Sequence, residues 1–385
     1  MNADLNEDLS ARAASPTGDP FLLTPGPLTT SSTVKRAMLH DYGSRDTYFI
    51  DLNQRVLARL VDIVNGQDSH TTVPLQGSGT FVVEAMIGCF VPSQDKLLIC
   101  INGAYGHRIA KICQYYGRKF LIQESSEDVP IDVEQLDKTL EQDKSITHVA
   151  AVHCETTSGI LNPLTDISHI VAKHNRGFLI DAMSAFGALP VDSGSVKFDA
   201  LVASSNKCLE GAPGMGFCIA RKEALQDTKG NSPSLSLDLF DQWTVMNKTR
   251  QWRFTPPTHV LLAFAQALKE FDQEGGVAGR GGRYRSNCGI LVNGMRAMGF
   301  KTLLADELQA PIIVTFHMPA DAKFDFNAFY NHLRQQGYVI YPGKLTVAES
   351  FRIGCIGRLG ADEMKGALAA IRNTLDSFGI SGRIT

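Results

Sequence analysis

A chain of 385 residues, 44% hydrophobic and 20% charged, has the length for two or three structural units and a sizeable buried core. Its formal net charge of −3 leaves no basic footprint for nucleic acid, and it holds no apolar run of roughly 18 residues that could span a membrane. Eight cysteines stand singly, without a C-x-x-C pair and mostly inside apolar runs, which points to buried reduced thiols and a cytoplasmic setting.

Residues 1–20 hold several acidic side chains and lack the apolar segment of a signal peptide, so they read as a loose tail. From about residue 70 to 220, short apolar runs alternate with longer amphipathic stretches. The runs at 71–75, 96–101, 119–123, 148–154, 178–182, 200–204 and 216–220 predict strands. Segments 81–91, 105–116, 133–140 and 167–174 predict helices between them. This alternation predicts an α/β fold on a largely parallel sheet, where ligands collect beyond the carboxyl ends of the strands. The glycine-rich run Gly275-Gly276-Val277-Ala278-Gly279-Arg280-Gly281-Gly282 has no strand leading into it and reads as a linker between elements. After it, a helix over 284–298, a strand at 311–316, a helix over 327–336, a strand at 350–354 and a helix over 361–378 predict a smaller α+β unit. The expected organisation is a tail over 1–20, a large unit over 21–270 and a small C-terminal unit over 271–385.

Several of these elements end in residues with chemical capacity. Gly77-Ser78-Gly79-Thr80 stands between the first strand and the first helix of the alternating region. The free N–H groups of such a helix start, with two hydroxyls, suit a phosphate; the same residues also make an ordinary N-cap and tight turn. Neither a G-x-x-x-x-G-K-[ST] loop nor a G-x-G-x-x-G fingerprint is present, which disfavours nucleotide chemistry. Tyr105, among small residues just past a strand, can stack on a flat ring or simply pack at the start of its helix. Asp181 closes an otherwise apolar run, where a carboxylate needs a partner: a pyridinium N–H, a helix cap or a salt bridge. Lys207 follows Leu201-Val202-Ala203-Ser204-Ser205-Asn206, an approach too apolar and small for a surface lysine. Arg352 is the lone cation of a short strand, and its donor fork suits a carboxylate or phosphonate as well as a structural ion pair. His107, His153 and His259 lack metal-ligand spacing. The order of the glycine-rich helix start, Asp181 and Lys207 predicts pyridoxal 5'-phosphate as cofactor. The lysine can form a Schiff base, the carboxylate can keep the pyridine nitrogen protonated, and the helix start can hold the phosphate.

Taken as a set, the segments resemble the class V, fold-type I aminotransferases. The likeness runs from Leu23-Thr24-Pro25-Gly26-Pro27 through Gly77-Ser78-Gly79-Thr80, Asn102-Gly103-Ala104-Tyr105-Gly106 and Glu155-Thr156-Thr157-Ser158-Gly159. It continues through Asp181-Ala182-Met183-Ser184, Ser204-Ser205-Asn206-Lys207 and Thr255-Pro256-Pro257-Thr258-His259 to Phe351-Arg352-Ile353-Gly354. The resemblance implies Lys207 as covalent anchor and proton carrier, Asp181 against the pyridine nitrogen, and Tyr105 and Met183 on the two ring faces. It implies Ser78, Gly79 and Thr80 at the phosphate, and Thr156 or Thr157, with Thr156 preferred, at the phenolic oxygen. Thr255 matches a residue that reaches the phosphate from the neighbouring subunit, which implies a homodimer with shared sites. Arg352 matches the arginine that binds the acidic group of the substrate. The implied substrates are 2-aminoethylphosphonate as amino donor and pyruvate as acceptor, with alanine– or serine–glyoxylate transfer as the alternative. A lyase or desulfurase on the same fold would want a cysteine on a mobile active-site loop, and no clear candidate is visible.

Overall fold

The computed structural model describes residues 18–345, 348–380 and 384; the tail expected over 1–20 lies outside the described residues except for its last three. The first elements are β1 (Phe21–Leu22), α1 (Ser32–Arg36), α2 (Thr47–Ile63), β2 (His70–Gly77), α3 (Gly79–Phe90), β3 (Lys96–Ile101), α4 (Ala104–Tyr115) and β4 (Lys119–Glu124). They are followed by α5 (Val133–Gln142), β5 (Ile146–Val152), β6 (Cys154–Glu155), β7 (Ile160–Leu161), α6 (Leu164–Lys173), β8 (Gly177–Asp181), β9 (Ala200–Ser204) and β10 (Gly214–Arg221). Then come α7 (Lys222–Gln226), α8 (Leu239–Thr249), α9 (Thr258–Gln273), α10 (Gly276–Ala297), β11 (Ile313–His317) and α11 (Phe326–Gln335). The last are β12 (Tyr338–Val339), β13 (Tyr341–Pro342), β14 (Ser350–Gly354) and α12 (Ala361–Ser377).

Seven strands form the main sheet in the order β2-β10-β9-β8-β5-β3-β4, all parallel except β10, which runs against both its neighbours. The central strands are continuously apolar through their middles because both faces are covered, and their polar residues fall at the ends. Leu98, Val149, Ala151, Phe178, Ile180 and Leu201 point into one core, shared with α2, α5, α6 and α9. Their sequence neighbours Leu97, Ile99, Ala150, Leu179, Ala200 and Val202 point into the other, under α3 and α4. The period of two in side-chain direction thus divides one apolar run between two cores. Parallel strands put their carboxyl ends on one edge, and that shared edge is where β8 delivers Asp181 and β9 leads to Lys207.

A second sheet, β11-β14-β13, is antiparallel and packs with α10, α11 and α12 around a separate core that includes Phe300, Phe316, Phe329 and Phe351. The chain's beginning joins this part: β1 pairs in parallel with β12, and the Gly354 N–H donates to the Leu23 carbonyl at 2.9 Å.

Two expectations need correction. The strand expected over 148–154 stops at Val152: the His153 N–H makes the last rung of the ladder to the Asp181 carbonyl at 2.8 Å, β8 itself ends there, and Cys154 and Glu155 pair with β7 instead. The glycine-rich run at 275–282 is no linker. Gly275 is the N-cap, in the left-handed region at φ 96°, and the next residues are the first two turns of the 22-residue helix α10. Its buried face carries Arg280, Gly281, Tyr284 and Asn287, so the helical period was present but written in polar and small residues. Gly281 is required by a close approach: a Cβ there would lie 2.3 Å from the Ala188 carbonyl oxygen. Helices α2 and α9 lie outside the alternating region and were not expected. α2 is capped by Asp46, which accepts the Tyr48 N–H, and buries Phe49, Leu52, Val56, Leu57 and Leu60 at helical spacing.

Candidate active site

Lys207 sits in the tight loop after β9. Ser205 pins that loop at both levels: its N–H donates to the Met215 carbonyl at 3.0 Å and its hydroxyl to the Ala212 carbonyl at 2.6 Å. The Glu210 N–H closes back on the Lys207 carbonyl at 2.8 Å. The lysine amine points inward and donates to the Pro25 carbonyl at 2.8 Å. Burial is the main reason its pKa falls to about 8, and the positive charges of Arg108 and Arg352 push the same way. A lysine so placed is available as a free amine far below the ordinary pH for its type.

Asp181 ends β8 on the same edge. Its carboxylate accepts the Met183 N–H at 2.9 Å and is otherwise shut from water, so burial raises its pKa to about 6. The nearby Glu155 carboxylate adds to that rise, while Arg108 and Lys207 oppose it. An acid raised this far wants a cationic N–H to keep it charged at neutral pH.

The α3 start resolves one of the open alternatives. Ser78 is the N-cap residue by position, yet its side chain makes no capping hydrogen bond, so its hydroxyl is not used to close the helix. Gly79 is met closely by Met183, whose Sδ would lie 2.5 Å from any Cβ there. Thr80 accepts a hydrogen bond from Arg108 at 3.1 Å, and Arg108 also lies 4.6 Å from the centre of the Tyr105 ring. Gly77, Ser78, Gly79, Thr80, Tyr105, Met183, Asp181 and Lys207 line one cleft of about 480 Å³.

Beside this cleft, β6 and the turn after it carry Glu155, Thr156 and Thr157, all fully buried. Glu155 accepts the Tyr105 N–H at 3.1 Å, the Thr157 N–H at 3.0 Å and the Thr157 hydroxyl at 2.7 Å. Burial raises its pKa. The Thr157 hydroxyl is also the acceptor for the Ala104 N–H at 2.9 Å. The Thr156 carbonyl accepts from Arg352 Nη1 at 2.7 Å, and Arg352 Nε donates to the Pro342 carbonyl at 3.1 Å. Arg352 therefore reaches from the central strand of the small sheet to the turn that follows β6. Thr255 lies apart from the cleft, exposed in the loop between α8 and α9.

Seven of the expected site residues thus meet in the cleft, Thr156 and Arg352 stand next to it, and Thr255 does not reach it within one chain. Two residues escaped the sequence reading. Glu155 ends an apolar run just as Asp181 does, which was a usable signal. Arg108 follows Tyr105 by one helical turn on α4, a spacing that puts both on one face. The donor set fits the cofactor that the resemblance implies: an uncapped helix start with hydroxyls and an arginine for a dianionic phosphate, a buried carboxylate for a ring N–H, and a buried amine.

The family described as Aminotransferase class-V matches residues 29–350. The chain is 54% identical over 367 residues to 2-aminoethylphosphonate–pyruvate transaminase 1 of Polaromonas sp., covering 94% of this chain and 98% of that protein. It is 52% identical over 356 residues to 2-aminoethylphosphonate–pyruvate transaminase of Pseudomonas putida, covering 92% and 97%. Among solved structures, ureidoglycine–glyoxylate aminotransferase of Bacillus subtilis superposes with a TM-score of 0.86 at 23% identity, covering 94% of this chain and 95% of that one. Alanine–glyoxylate aminotransferase of Nostoc sp. superposes with a TM-score of 0.86 at 23% identity, covering 93% and 95%; at this distance both structures speak to the fold alone.

Proposed function

The chain belongs to the class-V aminotransferases, and we infer that it moves the amino group of 2-aminoethylphosphonate to pyruvate, giving phosphonoacetaldehyde and L-alanine. The observation that carries the chemistry is the buried Lys207 amine facing the same cleft as the buried Asp181 carboxylate. Pyridoxal phosphate, when bound, supplies a carbon that takes up amines and a cationic ring that draws electrons from the substrate carbon.

Each remaining role falls to a residue of this chain. Lys207 would anchor the cofactor, and its amine, once free, would carry the proton away from the substrate carbon. Asp181 keeps the ring nitrogen protonated. Tyr105 and Met183 hold the ring between them, and Ser78, Gly79 and Thr80 hold the phosphate. Thr157 engages its hydroxyl with Glu155 and Ala104, which favours Thr156 for the phenolic oxygen. Arg352 orients the acidic group of the donor in one half-reaction and of pyruvate in the other. Its fork is fixed by two carbonyls, so it is placed before any substrate arrives. Because one cofactor serves both halves in turn, the kinetics are ping-pong.

The working unit in this reading is a homodimer in which Thr255 reaches the partner's phosphate site. Support comes from exposed aromatic side chains at the places a partner would cover: Phe81, one residue past Thr80, is 50% exposed and Phe254, next to Thr255, is 47% exposed. Eight free, buried cysteines support a reducing, cytoplasmic compartment. Among the described residues no helix is long and apolar enough to cross a membrane.

The test is a donor panel of 2-aminoethylphosphonate, alanine, serine and taurine, each offered with pyruvate and with glyoxylate. 2-Aminoethylphosphonate with pyruvate should give the highest kcat/KM. Faster transfer from alanine to glyoxylate would overturn the substrate assignment and leave the family untouched.

A further inference from the structure

Two cations sit at the Tyr105 ring, and a third, over the Tyr341 ring at 5.4 Å, lies near them. Arg108 and Lys344 each lie 4.6 Å from the centre of the Tyr105 ring, and Arg352 is close enough to both Tyr105 and Lys344 for their charges to interact. Arg108 belongs to the phosphate end of the cleft through its hydrogen bond to Thr80. Lys344 and Arg352 instead arise from one hairpin. Tyr341 pairs with Arg352 across β13 and β14, Arg352 Nε donates to the Pro342 carbonyl, and Lys344 follows two residues later.

Such crowding of like charge is unfavourable unless an anion joins it. Lys344 is exposed as a residue, and the partial burial of its amine, then the charges of Arg108 and Arg352, hold it below the ordinary lysine range. Glu155 is the carboxylate within reach, but it already accepts hydrogen bonds from Tyr105 and Thr157. We propose that Lys344 is a second anion-binding residue which, with Arg352, makes the site prefer a doubly charged phosphonate over a singly charged carboxylate. This rests on the amino-donor reading above and deepens it: a phosphonate has three oxygens and a second ionisation that neighbouring cations favour, so it can satisfy both cations, whereas a carboxylate needs only Arg352.

The experiment uses the holoenzyme and two inert probes of equal length, ethylphosphonate and propionate, as competitive inhibitors against whichever amino donor the enzyme accepts. Lys344→Met removes the charge and keeps the length of the side chain. It should weaken inhibition by ethylphosphonate about tenfold while propionate stays within about twofold, and Lys344→Arg should restore most of the difference. Transfer from 2-aminoethylphosphonate should lose kcat/KM through KM, with the KM for pyruvate unchanged. If Lys344→Met weakens both probes equally, or neither, the proposal is overturned. Failure of the unaltered enzyme to use 2-aminoethylphosphonate would sink the donor reading instead, and the ratio of the two probes would still decide the role of Lys344.

Discussion

Glu210→Gln is the perturbation that tests how the lysine loop is held. Glu210 is 3% exposed, sits three residues past Lys207, and adopts a left-handed backbone at φ 57°. A conformation like this in a non-glycine residue persists where surrounding contacts impose it. Its Oε1 accepts from Arg283 at 2.7 Å and from the Tyr284 hydroxyl at 2.6 Å, and Arg280 lies 3.6 Å away. Arg280 also donates to the Cys208 carbonyl at 2.5 Å, so helix α10 grips the loop on both sides of its turn. Glu210 and Glu274 balance Arg280 and Arg283; removing one carboxylate leaves an uncompensated buried charge, which costs about 4 kcal/mol. At about 2.1 cal/mol/K per residue, unfolding 385 residues changes the entropy by about 0.8 kcal/mol/K, so the thermal midpoint should fall by about 5 °C. A loop freed to shift by even about 1 Å should also lose roughly tenfold to a hundredfold in kcat. Calorimetry and steady-state turnover on the same preparation read both effects. Glu210→Gln combined with Arg283→Gln restores the charge balance and should recover part of the midpoint, a coupling that separate surface effects would not produce. A midpoint within about 1 °C of the parent, with normal turnover, would refute the clamp.

Lys207→Ala should retain cofactor through the helix-start contacts but lose turnover by several orders of magnitude, and borohydride should fix the cofactor to the peptide carrying Lys207 in the parent alone. Because burial brings that amine to about 8, covalent recapture of cofactor by the stripped protein should rise with pH and level off above about 8; a climb continuing past 10 would contradict a buried amine. Asp181→Asn should bind cofactor somewhat more weakly and slow the proton-transfer step severely; a near-normal rate would assign the ring nitrogen to another group. His153 is fully buried, with its pKa lowered to about 4, so the unfolded chain binds the extra proton between about 6.5 and 4 and stability falls as pH drops through that window, by about 3 kcal/mol in all. Asp181, raised to about 6, works in the opposite sense, so the acid profile of His153→Leu should be compared with the parent, and equal acid sensitivity would rule out the histidine. Sedimentation should give a species of twice the chain mass, and mixing Lys207→Ala with Thr255→Ala subunits should regenerate activity; inactive hybrids would mean each chain completes its own site.

The amino-acid sequence by itself determined the alternating core, the cofactor and the family. Local signals sufficed for the core and the cofactor, while the family rests on the resemblance of the whole set of segments: short continuous apolar runs such as 178–180, with a carboxylate or lysine stranded at or just past their ends, are readable because burying a charge demands a chemical reason. Other features depended on neighbours far along the chain. The glycine-rich start of α10 reads as a loop until Ala188 and Glu210 are brought against it, since only contact explains why its buried face is glycine, arginine and tyrosine. The break at His153 likewise depends on a neighbour: its N–H makes the last rung to Asp181, where β8 ends, and the following residues take β7 as their partner. Tertiary structure also decided the charge balance of the site. Arg108 comes from α4 and Lys344 and Arg352 from the β13–β14 hairpin far along the chain, and electrostatic interaction depends on their distance in space, which sequence separation does not record.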